Sequence, residues 1–178
     1  MNDISPDEDL KLARPEYSMT DAELLEFVNE APRYASIATL RKDGSPIVDG
    51  VGIEWDGECV YVSIRNTRAL RQRLSKDPRA CFHIMNSAYP VKWVRFEGVV
   101  EVIEDPGYER TIRIMRRYMD KSSEAQELDN FDVDEYANAY TSRGRTMYRL
   151  RPHRIHSHDA NKQAAVFDLE TGKILDAD

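Results

Sequence analysis

The sequence predicts a mainly β fold of the α+β class, an antiparallel strand system with flanking helices. Three observations lead there. Between Tyr34 and Ile64, ASIATL, PIVDGVGIEW and ECVYVSI are rich in strand-forming residues and are separated by Asp43-Gly44 and Asp56-Gly57, the strongest short hairpin signal. After Ile64 the period changes, because Leu70 and Leu74 fall four apart as helix neighbours do. RACFHIM, KWVRFEGVVEVI and RTMYRLRPHRIHSH then return to strand period.

In chain order, residues 1–17 carry Asp3, Asp7, Glu8, Asp9, Pro6 and Pro15 with few apolar anchors, and read as a mobile acidic arm. Thr20 and Glu23 have capping-box spacing ahead of Leu24, Leu25, Phe27 and Val28. A short helix to about Glu30 follows, stopped before Pro32. The three hairpin-linked strands form a meander, in which both residues of each Asp-Gly turn need positive φ. Gly50 and Gly52 inside the second strand suggest a bulge, a bend, or close approach of something flat to the backbone. In the fifth strand Trp93, Arg95 and Glu97 share one face and Val94 and Phe96 the other, until Gly98 resets the register. Asp105-Pro106 opens a helix whose buried stripe reads Ile112, Met115 and Met119. DVDEYANAYTS reads as a short acidic helix with Tyr136 and Tyr140 on one face. In the last strand Thr146, Tyr148 and Leu150 point inward and Arg149 and Arg151 outward. One domain spans 18–160, and residues 161–178 form a tail without a predicted place.

The functional clue lies where strand becomes helix, in YVSIRNTRALRQRLSKDP. Arg65, Arg68, Arg71, Arg73, Lys76 and Arg79 gather there around a single acid, Asp77, although the chain carries a net charge of -7. Asn66 or Thr67 could cap the helix, whose first N–H groups attract anions. Arg68 and Arg71, three apart, share a helix side. Two guanidinium forks on one phosphate would gain about 1.5 to 3 kcal/mol per charge-assisted hydrogen bond. A phosphate site is therefore expected, against the plainer reading of a solvated basic helix.

Composition narrows the rest. At 178 residues the chain suits one domain with a real core. A pI near 5.2 argues against a general nucleic-acid binder. No apolar run reaches the length of a signal peptide or membrane span, so a cytoplasmic protein is expected. Cys59 and Cys81 lack CxxC spacing and read as buried free thiols. His156 and His158 fall on one side of an extended chain with only His153 to add, so they read as exposed histidines and not as a metal site. P-loop, GxSxG and HExxH motifs are absent.

The order of parts, VSIRNTRALRQRLSKDPRACFHI followed by WVRFEGVVEVIEDP, a helical excursion and a closing strand, resembles the FMN-binding split-barrel superfamily. Within it the chain is similar to the flavin and deazaflavin (F420) dependent oxidoreductases, often labelled pyridoxamine 5'-phosphate oxidase-like. The resemblance covers roughly Leu24 to His158. It implies a six-stranded antiparallel Greek-key split barrel and a homodimer with two cofactor sites at its interface. It further implies that Ser63, Ile64, Thr67 and Arg68 match the strand end and turn that hold the cofactor phosphate, with Arg65 and Arg71 adjoining. Val48, Asp49 and Gly50 match the strand lying against the flavin-like ring, and Trp93 matches a strand that offers a side chain near the ring or the partner subunit. Two departures stand out. Many relatives carry Lys where this chain has Leu70, so Arg71 would supply the second charge. The arginine and lysine of true pyridoxamine phosphate oxidases are missing from PIVDGVGIEW, so vitamin B6 oxidation is not expected.

The resemblance implies an oxidoreductase that uses reduced F420 or FMN to pass hydride to a conjugated small molecule. The alternative is a non-catalytic carrier of flavin, F420 or haem. A third reading, a nucleic-acid binder, would use the arginines with Trp93 and Phe96 as stacking surfaces. Tyr89 and Lys92 are positional candidates for a proton donor, and no catalytic acid or base is assigned.

Overall fold

The structure is a computed structural model that describes residues 15–29, 34–87, 90–119, 132–163, 167–168 and 173–174. Six strands close into a barrel: β1 (Tyr34–Leu40), β2 (Pro46–Trp55), β3 (Val60–Arg65), β4 (Arg79–Met85), β5 (Lys92–Ile103) and β6 (Arg145–Asp159). Their order around the barrel is β1-β2-β3-β6-β5-β4, all pairs antiparallel, with β4 returning to β1. This is the expected split barrel. Its interior is filled by Ile37, Ile53, Val60, Val62, Ile64, Phe82, Ile84, Val94, Phe96 and Leu150, each at most 2% exposed, because alternate residues of every strand point inward.

Local chemistry accounts for the connections. In the first hairpin Gly44 takes φ 82° and Asp43 Oδ1 accepts from Ser45 N at 3.0 Å. In the second, Gly57 takes φ 96° and Asp56 Oδ1 accepts from Glu58 N and Cys59 N at 2.9 and 2.7 Å. The expectation of positive φ at both positions is corrected, since only the glycine turns left-handed while the aspartate caps the backbone beyond it. β1 and β2 pair without a break from Tyr34↔Gly52 to Leu40↔Pro46, so neither Gly50 nor Gly52 marks a bulge. The register shift lies instead between Glu97 and Gly98 of β5, which pair with Arg154 and Pro152, leaving His153 as the extra residue of β6. Inward burial nevertheless alternates on through Val94, Phe96, Gly98 and Val100, so the expected reset at Gly98 holds for the pairing register and not for the alternation.

Among the described residues four helices flank the barrel: α1 (Asp21–Asn29), α2 (Ala69–Leu74), α3 (Glu109–Met119) and α4 (Val133–Thr141). The capping box of α1 forms as expected, with Thr20 N donating to Glu23 Oε2 at 2.6 Å and Glu23 N to Thr20 Oγ1 at 3.3 Å. Asp132 caps α4, accepting from Asp134 N and Glu135 N. The stripe of α3 differs from expectation. Thr111, Ile114 and Met115 are buried and Ile112 is not, because Asp105 supplies hydrogen bonds that let a threonine go inside; the side chain of Met119 lies outside the description. Before the domain, residues 1–14 lie outside the described residues, Pro15–Tyr17 form a 3-10 turn and Tyr17 is buried. Of the tail, β7 (Phe167–Asp168) pairs with β8 (Lys173–Ile174). Cys59 is a buried free thiol, and Cys81 is free but only partly buried.

A Cβ at Gly52 would meet the Tyr118 ring at 2.8 Å, and one at Gly50 would meet nothing within 4 Å. Gly52→Ala should therefore lower unfolding free energy by about 1 to 3 kcal/mol through forced repacking, and Gly50→Ala should leave it within about 0.5 kcal/mol. Denaturant titration of both variants checks the contrast.

Candidate functional site

The register of β3 on β6 builds the site. Val60, Val62 and Ile64 fill the barrel, which forces Tyr61, Ser63 and Arg65 onto the outer face. Arg65 pairs directly with Arg145 at the start of β6. Like charges directly opposite are destabilising, and neither guanidinium reaches a carboxylate among the described residues. Arg145 is held by neutral groups. Its Nε donates to Ser63 Oγ at 2.9 Å, and its Nη2 donates to Ser63 O at 2.7 Å and to Tyr140 Oη at 2.9 Å. The guanidinium carbon also lies 3.8 Å from the Tyr140 ring centroid, a cation–π contact. Burial pulls the Arg145 guanidinium below its ordinary range; Tyr140 opposes this, and Arg65 and Arg68 add to it. Burial likewise raises the Tyr140 phenol, against the pull of Arg145. This is a cationic patch short of negative charge in an acidic chain.

The helix after β3 contributes differently from expectation. α2 has only six residues, Arg68 occupies its N-cap in extended conformation, and no side chain caps it. Neither Asn66 nor Thr67 is the cap. Asn66 instead accepts from Thr146 Oγ1 at 2.7 Å, and Thr67 is exposed. Arg68 and Arg71 do not converge. Arg68 turns toward β2, where its nitrogens lie 3.4 Å from Gly50 O and 3.3 Å from Asp49 Oδ1, whereas Arg71 Nε donates to Thr146 Oγ1 on β6 at 3.2 Å. Asp49 is shared, since Arg73 also pairs with it while donating to Thr39 Oγ1 at 3.1 Å. Arg41, Lys42, Gln72, Arg73 and Lys76 line a separate cleft of about 340 Å³ beside α2.

Other expected residues fall as follows. Val48, 62% exposed, and Gly50 present an open outer edge of β2. Ile64 is wholly buried in the barrel, so only its backbone is available, and the Ser63 hydroxyl is occupied by Arg145 and Thr111. Trp93 lies at the far end of β6 from Arg145, paired with His158 and packed against His156 and His158 at 5.4 and 5.8 Å. Within one chain it does not join the arginines. Those two histidines are therefore half-buried, not exposed. Phe96 is sealed in the core against Trp55, which removes it as a stacking surface for bases. Lys92 pairs with Asp159 at 3.1 Å, and Tyr89 lies outside the described residues.

Sequence reading missed Arg145 and Tyr140. The available signal was the Arg-Thr start of the last strand, whose inward residues imply an outward Arg145. Arg65→Ala should leave stability without ligand unchanged or raise it by roughly 0.2 to 1 kcal/mol, since it relieves a like-charge pair. Added inorganic phosphate should raise the melting temperature of the unmodified protein more than that of the variant.

Comparison with known proteins fits this architecture. The family model described as pyridoxamine 5'-phosphate oxidase matches residues 20–159. A conserved hypothetical protein from Mycobacterium tuberculosis superposes with a TM-score of 0.65 at 25% identity, over 85% of this chain and 92% of that one. An F420 reductase superposes with a TM-score of 0.55 at 24% identity, over 73% and 94%. A protein described as a putative pyridoxamine 5'-phosphate oxidase from Listeria innocua gives 0.54 at 12% identity, over 77% and 96%. No curated protein matches the chain. With the barrel complete and the family model spanning nearly all of it, the chain belongs to the pyridoxamine 5'-phosphate oxidase family.

Proposed function

We propose that the chain is a homodimeric oxidoreductase that binds F420 or FMN and passes hydride to a conjugated small molecule. One observation carries the phosphate end of this reading: Arg65 and Arg145 face each other across β3 and β6, and among the described residues no carboxylate pairs with either. Among the described residues, neither Arg145 Nη1 nor the Arg65 side chain makes a hydrogen bond. A phosphate placed there would satisfy open donors and remove the repulsion between them. The residues present therefore fit the phosphorylated end of such a coenzyme.

Each residue then has a physical task. Arg65, Arg68 and Arg145 hold the phosphate. Val48 and Gly50 offer the flat edge of β2 beside it, since nothing stands within 4 Å of a Cβ at Gly50. Tyr140, bonded to Arg145 with its phenol raised by burial, keeps its proton and walls one side. Bound there, either coenzyme would supply the hydride. Trp93 would reach the arginine end only from a second copy of the chain, which is why the reading includes a dimer.

The test is an absorbance titration of the protein with FMN and with F420, followed by turnover with a conjugated acceptor. Binding of at least one coenzyme is expected, and Arg68→Ala should weaken it by about 2 kcal/mol with little change in folding. Binding without turnover would favour a carrier instead. If neither coenzyme binds, or if Arg68→Ala lowers the melting temperature while affinity is unchanged, the site is misassigned. Sedimentation as a monomer at working concentration would remove the dimeric part.

A further inference from the structure

We infer that Thr111 and Asp105, on the far side of Ser63 from the arginine patch, are positioning residues for Arg145. The inference rests on the reading of that patch as a phosphate site. Four groups, from β6, β3, α3 and the connection that precedes α3, form one chain with its middle buried. Arg145 Nε donates to Ser63 Oγ at 2.9 Å; Ser63 Oγ lies 2.8 Å from Thr111 Oγ1; and Thr111 Oγ1 lies 2.6 Å from Asp105 Oδ2. Thr111 is 1% and Ser63 8% exposed.

The ends of the chain fix its proton order. A guanidinium Nε–H only donates and a carboxylate only accepts. The Thr111 hydroxyl therefore gives its proton to Asp105, and the Ser63 hydroxyl gives its proton to Thr111. Ser63 is left as a pure acceptor toward Arg145. Were Thr111 unable to accept, the Ser63 proton could rotate toward Arg145 and repel it. Asp105 is itself anchored, accepting from Arg110 N at 2.9 Å and Thr111 N at 3.0 Å at the start of α3. Left-handed backbone at Gly107 and Tyr108, φ 64° and 58°, returns the chain so that this occurs. Tyr108 is the one non-glycine residue with positive φ among those described, a conformation that persists where surrounding structure holds it. The relay thus aims Arg145, through two hydroxyls, from a carboxylate that never touches it.

The experiment uses the full chain without ligand and then with FMN and F420. In the ligand-free protein, solvent exchange of the Arg145 Nε–H, followed by 15N NMR, should be slow and should speed up by about tenfold in Thr111→Val, the loss of roughly one buried hydrogen bond. Thr111→Ser should restore slow exchange. Ile114→Val, which thins packing of the same helix without touching the relay, should leave it slow. For whichever coenzyme binds, Thr111→Val should weaken affinity by about five- to tenfold, but should add no loss in an Arg145→Ala background. Unchanged Nε–H exchange in Thr111→Val, or a loss that simply adds to that of Arg145→Ala, overturns the inference. If neither coenzyme binds the unmodified protein, the phosphate reading fails, and the exchange measurement still decides the relay.

Discussion

The pairing of β3 with β6 is the constraint from which the rest of the site follows. Its register, Val60↔Leu150 through Arg65↔Arg145, is held by the barrel interior, where a slip of one residue would turn Val60, Val62, Ile64, Tyr148 and Leu150 outward. The core therefore fixes which residues face out at the strand ends, and two of them are arginines. Among the described residues no carboxylate pairs with either. Ser63 and Tyr140 supply dipoles and a π face in place of a carboxylate, which solvate a guanidinium without neutralising it. Two like charges directly opposite each other are a local cost that the fold retains among the described residues.

The packing of α3 follows a second polar constraint. A helix is usually seated by an apolar stripe, but here buried Thr111 lies beside Ile114 and Met115, and Tyr118 reaches over Gly52 to bond Ile53 N at 2.9 Å. Hydrogen bonds at both ends of the helix set its rotation more narrowly than apolar contact would, since each requires a single donor–acceptor geometry. Arg113 and Arg110 then fall on Glu54 at the β2 edge, with Arg110 also over the Tyr61 ring at 3.5 Å. The helix on which Thr111 sits is consequently tied both to β2 and to β3.

What could be read from the sequence was what is decided locally. Strand periods, the Asp-Gly hairpins and the Thr20–Glu23 box depend on residues within a turn of each other, and all are present. The turn chemistry was misjudged because an aspartate side chain can replace a second left-handed residue. The α3 stripe was misread because a buried threonine looks polar until its carboxylate partner is known. At the site, the arginine cluster after β3 was visible as a run of charge. Its essential companion was not, since Arg145 lies 82 residues from Ser63 and only sheet register unites them. Arg68 and Arg71 looked convergent because helical spacing was extended back to a residue that is in fact the extended N-cap. Trp93 could not be placed at all from one chain, because β6 separates it from the arginines by almost its whole length.

Asp49 decides how the patch would accept a ligand. Among the described residues it is the carboxylate that Arg68 meets, and it is shared unevenly: Arg73 pairs with it closely and its side chain is 15% exposed, while Arg68 stands at 3.3 Å and its side chain is 41% exposed. An arriving phosphate can therefore take Arg68 without leaving Asp49 unpaired, since Arg73 retains it, and so avoids the penalty of stranding a partly buried charge. Arg145 is fixed by Ser63 and Tyr140, whereas strand pairing places only the backbone of Arg65 opposite it. The patch thus combines one preset guanidinium with Arg65 beside it and with Arg68, which can swing between an internal carboxylate and an external anion. On the proposed reading Arg145 would set the position of the phosphate, and Arg68 would add its charge only after exchange. Affinity at the patch should accordingly depend on Arg145 for geometry and on Arg68 for its last increment, an ordering that follows from the ion-pair distances of Asp49 and from the hydrogen bonds that hold Arg145.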